Sequence, residues 1–170
     1  MDDLSSVIFY STWNQCIAAT VKRNPDIDIY HINDYHGALV PLYLLPKVIP
    51  GCLSLHNAEF QGLRPLRTKE EMKEVCSAFN LSMENCTKYV QFGNTFNLLH
   101  AAASFVSEYQ NSIGVAGVSD KYGKRSLARY PALWTSSTSI PYRILIPVNR
   151  GVGREAGFHE ECDGRSGGGS

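Results

Sequence analysis

Between residues 27 and 118, short runs rich in β-branched and aromatic residues take turns with longer segments whose apolar residues recur every three or four positions. Ile27, Ile29, Tyr30 and Ile32 make the first short run. Cys52-Leu53-Ser54-Leu55 make the second, and Ile113, Val115 and Val118 the third. Strand-sized runs separated by helix-sized ones do not pair through tight hairpins. They fold as parallel β-α-β units with right-handed crossovers, so the expected class is α/β, a parallel sheet with flanking helices.

The helical segments carry their own punctuation. Val7, Ile8, Trp13, Ile17 and Val21 suit one side of a helix that ends near Arg23, and Asn24-Pro25-Asp26 stops it. A second helix is expected to start around Asp34 to Gly37, with Pro41 tolerated near its first turn and Pro46 ending it. Gly62 and Pro65 mark a loop. Thr68-Lys69-Glu70-Glu71 reads as a capping box for a helix reaching about Asn80. Phe96, Leu99, Ala103 and Val106 share a side of a helix over 94–109, and Ser119 reads as the N-cap of another. The periodicity stops after Trp134. Residues 135–170 hold seven of the 14 glycines and end Ser166-Gly167-Gly168-Gly169-Ser170, so this stretch is expected to be a disordered tail behind a domain over 1–134.

Charge narrows the function. Sixteen basic residues balance sixteen acidic ones, which argues against a nucleic-acid or anionic-lipid binder. No apolar run approaches the roughly 18 residues that span a bilayer. The opening Met1-Asp2-Asp3 lacks the basic start of a secretory signal, and the five cysteines show no C-x-x-C spacing. The expectation is a cytoplasmic chain with unpaired thiols and no zinc site.

In parallel sheets ligands bind beyond the carboxyl ends of the strands. After the first run comes His31-Ile32-Asn33-Asp34-Tyr35-His36-Gly37, after the second His56-Asn57-Ala58-Glu59-Phe60-Gln61-Gly62, and after the third Ser119-Asp120-Lys121-Tyr122-Gly123. Amides, imidazoles, carboxylates and aromatic faces gather there, the groups that hold a sugar. Helix starts after Asp34 and Ser119 would add amide donors for a phosphate. Blander readings stand beside these: Asp34 as an N-cap, His31 as a core histidine bonded to backbone, Asn57 as a turn former. His31, Asp34 and His36 also allow a metal-hydrolase reading, but no further ligands complete a shell.

These same segments resemble the glycogen/starch synthase family of glycosyltransferases, and within it the fungal α-1,3-glucan synthases. Four family signatures stand in order. His31-Ile32-Asn33-Asp34-Tyr35-His36 matches the His-x-His-Asp-Trp-His turn, with Asn33 and Tyr35 as departures. His56-Asn57 through Gln61-Gly62 matches the second. Asn97-Leu98-Leu99-His100 matches an Asn-Phe-Leu-Lys-like segment, with His100 replacing the lysine. Val118-Ser119-Asp120-Lys121-Tyr122 matches the fourth.

The resemblance implies a Rossmann-like domain forming an incomplete N-terminal half of a GT-B fold. It implies a retaining hexosyltransferase that moves glucose from a nucleotide sugar, UDP-glucose or ADP-glucose, to a growing α-glucan acceptor. By residue match His36 and Asp34 would be catalytic. His31, His56, Asn57, Gln61, Asn97, Ser119 and Tyr122 would bind substrate. Neither a metal nor a cofactor is implied. The full-length family proteins act on the cytoplasmic side of the plasma membrane. The family's Lys-x-Gly-Gly loop and its whole second domain have no counterpart in the chain, so the expectation is weak UDP-glucose binding, little transferase activity and marginal stability in isolation. The alternative is a non-catalytic glucan- or partner-binding remnant.

Overall fold

The computed structural model of the chain describes residues 4–110, 114–133 and 144–145. Helix α1 (Leu4–Arg23) leads through Asn24-Pro25-Asp26 into strand β1 (Tyr30–Asn33). A turn and the short α2 (Val40–Leu44) connect to β2 (Gly51–Leu55). There follow β3 (Leu63–Pro65), α3 (Lys69–Ala78), α4 (Met83–Asn85), a π-helical turn at Cys86–Val90, β4 (Gln91–Phe92) and β5 (Thr95–Asn97). The chain continues with α5 (Leu98–Tyr109), β6 (Val115–Gly117), α6 (Asp120–Arg129), a 3-10 turn at Pro131–Leu133 and β7 (Ile144–Leu145).

The main sheet is parallel throughout, in the order β1-β2-β6-β7. Its connections all run one way across the sheet, so right-handed crossovers put their helices on one face. Burial agrees. Ile32, Leu53, Leu55 and Val115 point into a core with Leu39, Leu99, Phe96 and Val106. The residues between them point to the opposite face, where His31 and Asn33 are exposed and Cys52, Ser54 and Ala116 are half-buried. The sheet was legible as three short runs. Its first strand starts at Tyr30 rather than Ile27, and Ile113 lies outside the described residues. Within 135–170 only the two residues of β7 are described.

A second, antiparallel sheet of order β3-β5-β4 has no counterpart in the expected pattern. Phe96 sits three residues before Leu99 and fits a helical period, which draws the expected helix start back to residue 94. The Asn97 side chain instead accepts from the His100 amide and starts α5 at Leu98. Phe96 is thereby freed to lie on a strand and stack on Phe79, with ring centroids 4.8 Å apart.

Two further expectations are corrected. The buried side of α1 carries Ser11, Asn14, Ala18 and Val21, while Ile8 and Trp13 face outward; the side chain of Val7 lies outside the described residues. The reason is Asn14, whose amide is clamped into the core side as described below. The capping box at α3 is as expected: Thr68 Oγ1 accepts from the Glu71 amide at 3.1 Å, and the Glu71 carboxylate accepts from the backbone amides of Thr68 and Arg67. Finally, Cys76 and Cys86 form a disulfide with Cα atoms 6.3 Å apart, against the expectation of unpaired thiols. The end of α3 and the start of the π-helical turn fold back on each other, and that brings two cysteines ten residues apart into bonding reach.

Candidate active site at the strand ends

The turn after β1 does not open a helix. Asp34 has a positive φ of 50°, the left-handed region that Asp tolerates better than most residues. Its buried carboxylate does not cap a helix either. Oδ1 accepts from two consecutive amides in the loop after β2, His56 at 2.8 Å and Asn57 at 2.9 Å. This corrects both the N-cap reading of Asp34 and the expected helix start there; α2 begins only at Val40. Asp34 is a tie between two strand ends.

The same loop is tied from the other side. The next amide, Ala58, donates to the Tyr122 hydroxyl at 2.7 Å. Tyr122 stands in the first turn of α6, where Ser119 Oγ accepts from its amide, the N-cap read from sequence. α6 comes this close because Gly117 and Gly123 face each other; a Cβ on Gly117 would stand 2.6 Å from the Gly123 Cα. An ion pair of Glu59 with Arg129, 2.6 Å, lies over the same junction.

Gln61 and Asn97 form a third tie. Asn97 Nδ2 donates to Gln61 Oε1 at 2.8 Å, and Gln61 Nε2 donates to the Ala58 carbonyl at 3.2 Å. Asn97 is 1% exposed and its amide oxygen is used by the α5 cap, so both of its polar atoms are occupied within the protein. Next to Gln61, Gly62 has a positive φ of 64°, and a Cβ there would lie 2.8 Å from the Tyr35 ring. Glycine lets the loop lie against that tyrosine.

His36 presents an exposed ring stacked on Tyr35, centroids 4.2 Å apart, with Nδ1 3.3 Å from the Asn33 carbonyl. Its backbone is held by Asn14, a residue that pattern reasoning passed over. Fully buried, Asn14 donates to the carbonyls of Tyr10 and His36, both at 2.8 Å, and accepts from the Leu39 amide at 3.0 Å. An asparagine on the buried stripe of α1 was the available signal, because a buried amide must find partners. The Tyr10 and Tyr35 hydroxyls meet at 3.1 Å. Burial, with help from that hydrogen bond, pushes the Tyr35 phenol up to about 12.

The described residues thus bring Asp34, His56, Asn57 and Tyr122 into one hydrogen-bonded junction, and Gln61 with Asn97 into a second beside it. The side chains of His36, His56 and Asn57 stay exposed. His31 is not the core histidine that the blander reading expected. It is exposed on the open sheet face, with Nε2 2.5 Å from Ser54 Oγ. Alongside the turn lies a cavity of about 530 Å³ lined by Tyr10, Tyr35, Phe60, Gln61, Arg64 and Leu98. Among the described residues no three His, Cys, Asp or Glu side chains are grouped as metal ligands, and no helix is long and apolar enough to cross a membrane.

Residues 2–116, from α1 through the middle of β6, match the family described as the starch synthase catalytic domain. The chain belongs to that family. It is 69% identical over 134 residues to the cell wall alpha-1,3-glucan synthase ags1 of Schizosaccharomyces pombe, and 68% identical over 133 residues to mok11 of the same organism. These matches cover 79% and 78% of the chain and 6% of each relative, so the chain spans a small part of their length. A glycogen synthase of Bradyrhizobium diazoefficiens is 29% identical over 82 residues, 47% of the chain and 18% of that relative. The parallel sheet with helices beside it accords with the first half of a GT-B fold.

Proposed function

We propose that this starch synthase domain serves glucosyl transfer. A nucleoside-diphosphate glucose, UDP-glucose for choice over ADP-glucose, would donate glucose with retention to a growing α-1,3-glucan acceptor. The reaction would take place on the cytoplasmic side of the plasma membrane, together with a second GT-B domain. The observation that carries this reading is the junction at the strand ends, where one buried carboxylate fixes two loop amides while the imidazoles of His36 and His56 stay open to a ligand. In retaining transfer positive charge grows on the sugar and negative charge on the leaving diphosphate. Fixed hydrogen-bonding groups that need no rearrangement stabilise both.

In this scheme His36 meets the donor glucosyl group, and His56 and Asn57 bind hydroxyls. Asp34 acts by holding the loop that carries them. His31, Gln61, Asn97, Ser119 and Tyr122 shape the surroundings, Asn97 from within the core. The test is a chimera in which this chain's residues 1–134 replace the matching segment of ags1, assayed for labelled glucose entering alkali-insoluble α-glucan. His36→Ala should lower transfer by roughly 100-fold or more, the scale of losing one transition-state contact. A chimera that keeps most of its activity without the imidazole would refute the assignment.

A further inference from the structure

Helix α1 carries a group of aromatic rings that the proposed chemistry does not use. Phe9 and Trp13, one turn apart, are 59% and 50% exposed. Their rings are nearly parallel, 7° between planes, with centroids 6.3 Å apart. Phe9 meets Tyr10 edge to face at 5.1 Å. Tyr10 meets Tyr35 at 5.3 Å and His36 at 5.7 Å. The rings therefore form an unbroken series from the outer surface of α1 to the exposed imidazole of His36, alongside the 530 Å³ cavity lined by Ser6, Tyr10, Tyr35 and Phe60, itself 65% exposed.

Open aromatic faces at this density are costly to leave in water, and on soluble proteins they mark places where something binds. The chemistry of this patch selects the occupant. Its rings carry no charge, the basic residues of α1, Lys22 and Arg23, stand at the far end of the helix, and the cavity beside it is lined by one acid and one base, Glu59 and Arg64. That balance gives an anionic lipid or a polyanion no net attraction here. Apolar faces edged by the hydroxyls of Ser6, Tyr10 and Tyr35 complement a neutral polymer whose rings have C–H faces and O–H rims. Amphipathic aromatic side chains suit that combination.

We infer that the aromatic series Trp13–Phe9–Tyr10–Tyr35 is a binding track for a neutral α-glucan chain, leading it toward His36. This rests on the glucosyl-transfer reading for its direction but not for its measurement, which needs no donor and no turnover. The track requires the glucan to lie across the ring faces of α1. Phe9 and Trp13 then contribute stacking contact, and the tyrosine hydroxyls contribute hydrogen bonds.

The test uses the full 170-residue chain and soluble linear α-1,3-linked gluco-oligosaccharides, with maltoheptaose as a second probe. Indole N–H resonances report binding, with Trp134→Phe assigning the Trp13 signal, and calorimetric titration gives the affinity of every variant, including those that lack the Trp13 indole. The expected result is saturable perturbation of the Trp13 resonance, with affinity reduced at least tenfold by Phe9→Ala and Trp13→Ala and retained by Trp13→Phe and Phe9→Tyr. Both positions are exposed, so unchanged far-UV circular dichroism verifies that the variants fold. A Trp13 resonance indifferent to either oligosaccharide overturns the track, and so does affinity unaffected by both alanine variants. Concentration-dependent dimerisation abolished by Trp13→Ala, with no glucan response, also overturns it by assigning the patch to a second copy. Loss of the track leaves the His36 chimera result untouched, so the two proposals fail separately.

Discussion

A carboxylate that accepts from two consecutive backbone amides satisfies donors that would otherwise be buried or strained, and Asp34 does this from a left-handed backbone position. The two demands can be separated by substitution. Asn keeps the left-handed tolerance and an acceptor oxygen but gives up the charge. Ala loses the acceptor and also pays the steric penalty of positive φ. Asp34→Ala is expected to lower the free energy of unfolding by about 2–4 kcal/mol, from orphaned amides worth about 1–3 kcal/mol and roughly 1 kcal/mol of backbone strain. Asp34→Asn should lose less than half of that. Urea melts of the three proteins make the comparison, and equal midpoints for Asp34→Ala and the parent chain would show that the tie carries no stability.

His100 is a residue-scale case with a pH signature. Burial holds its imidazole below the ordinary histidine range, opposed by its hydrogen bond to the Ala132 carbonyl at 2.9 Å. A histidine whose pKa is lower folded than unfolded binds fewer protons in the native state. Its contribution is therefore complete above the unfolded value of about 6.5 and declines as pH falls through that value toward the folded one. Between pH 7.5 and 5.5 the chain should lose stability more steeply than its His100→Gln variant. Parallel stability curves over that window would contradict the assignment.

Among the described elements, the pairing of α3 with the π-helical turn is the one covalently fixed. The Cys76–Cys86 bond closes a loop of ten residues, a constraint on the unfolded chain worth about 2–3 kcal/mol in the chain-entropy description. Reducing agent should move the urea midpoint down by a corresponding amount. The Cys76→Ser/Cys86→Ser double variant should start at the lower midpoint and ignore reductant. If reductant leaves the parent chain unmoved, the two sulfurs are not bonded in solution. This staple was not visible in sequence, because five cysteines without a C-x-x-C spacing say nothing about which two will meet. What was visible were elements whose signals are local: the end of α1 at Asn24-Pro25, the Thr68 cap and the Ser119 cap. The small sheet was missed because β3 and β5 are three residues each and their pairing is decided across a gap of some thirty residues. At the site, the strand-end positions of His36, His56, Asn57 and Gln61 followed from topology alone. The partnership of Asp34 with the next loop, and the clamp by Asn14, are long-range hydrogen bonds that no local pattern encodes.

On the scale of the whole molecule, the sheet has one face deep in the core and one face lined by His31, Asn33, Cys52, Ser54 and Ala116. Parallel sheets are ordinarily covered on both faces, because their crossover helices wind around them. Here all crossovers advance in one direction, β1 to β2 to β6 to β7, so among the described residues the second face receives no helix from them. Its side chains fit that situation. They are small or polar, and His31 and Ser54 satisfy each other across the two strands. The free thiol of Cys52 lies in the middle of this face and reports on it directly. In the 170-residue chain, iodoacetamide without denaturant should modify Cys52 within the same order of time as the exposed Cys16, with Cys76 and Cys86 unreactive until reduced, as read by peptide mass mapping. Protection of Cys52 alone would mean that the face is covered in solution, by another part of the chain or by a second copy. A concentration series distinguishes the two, because only protection by a second copy weakens on dilution.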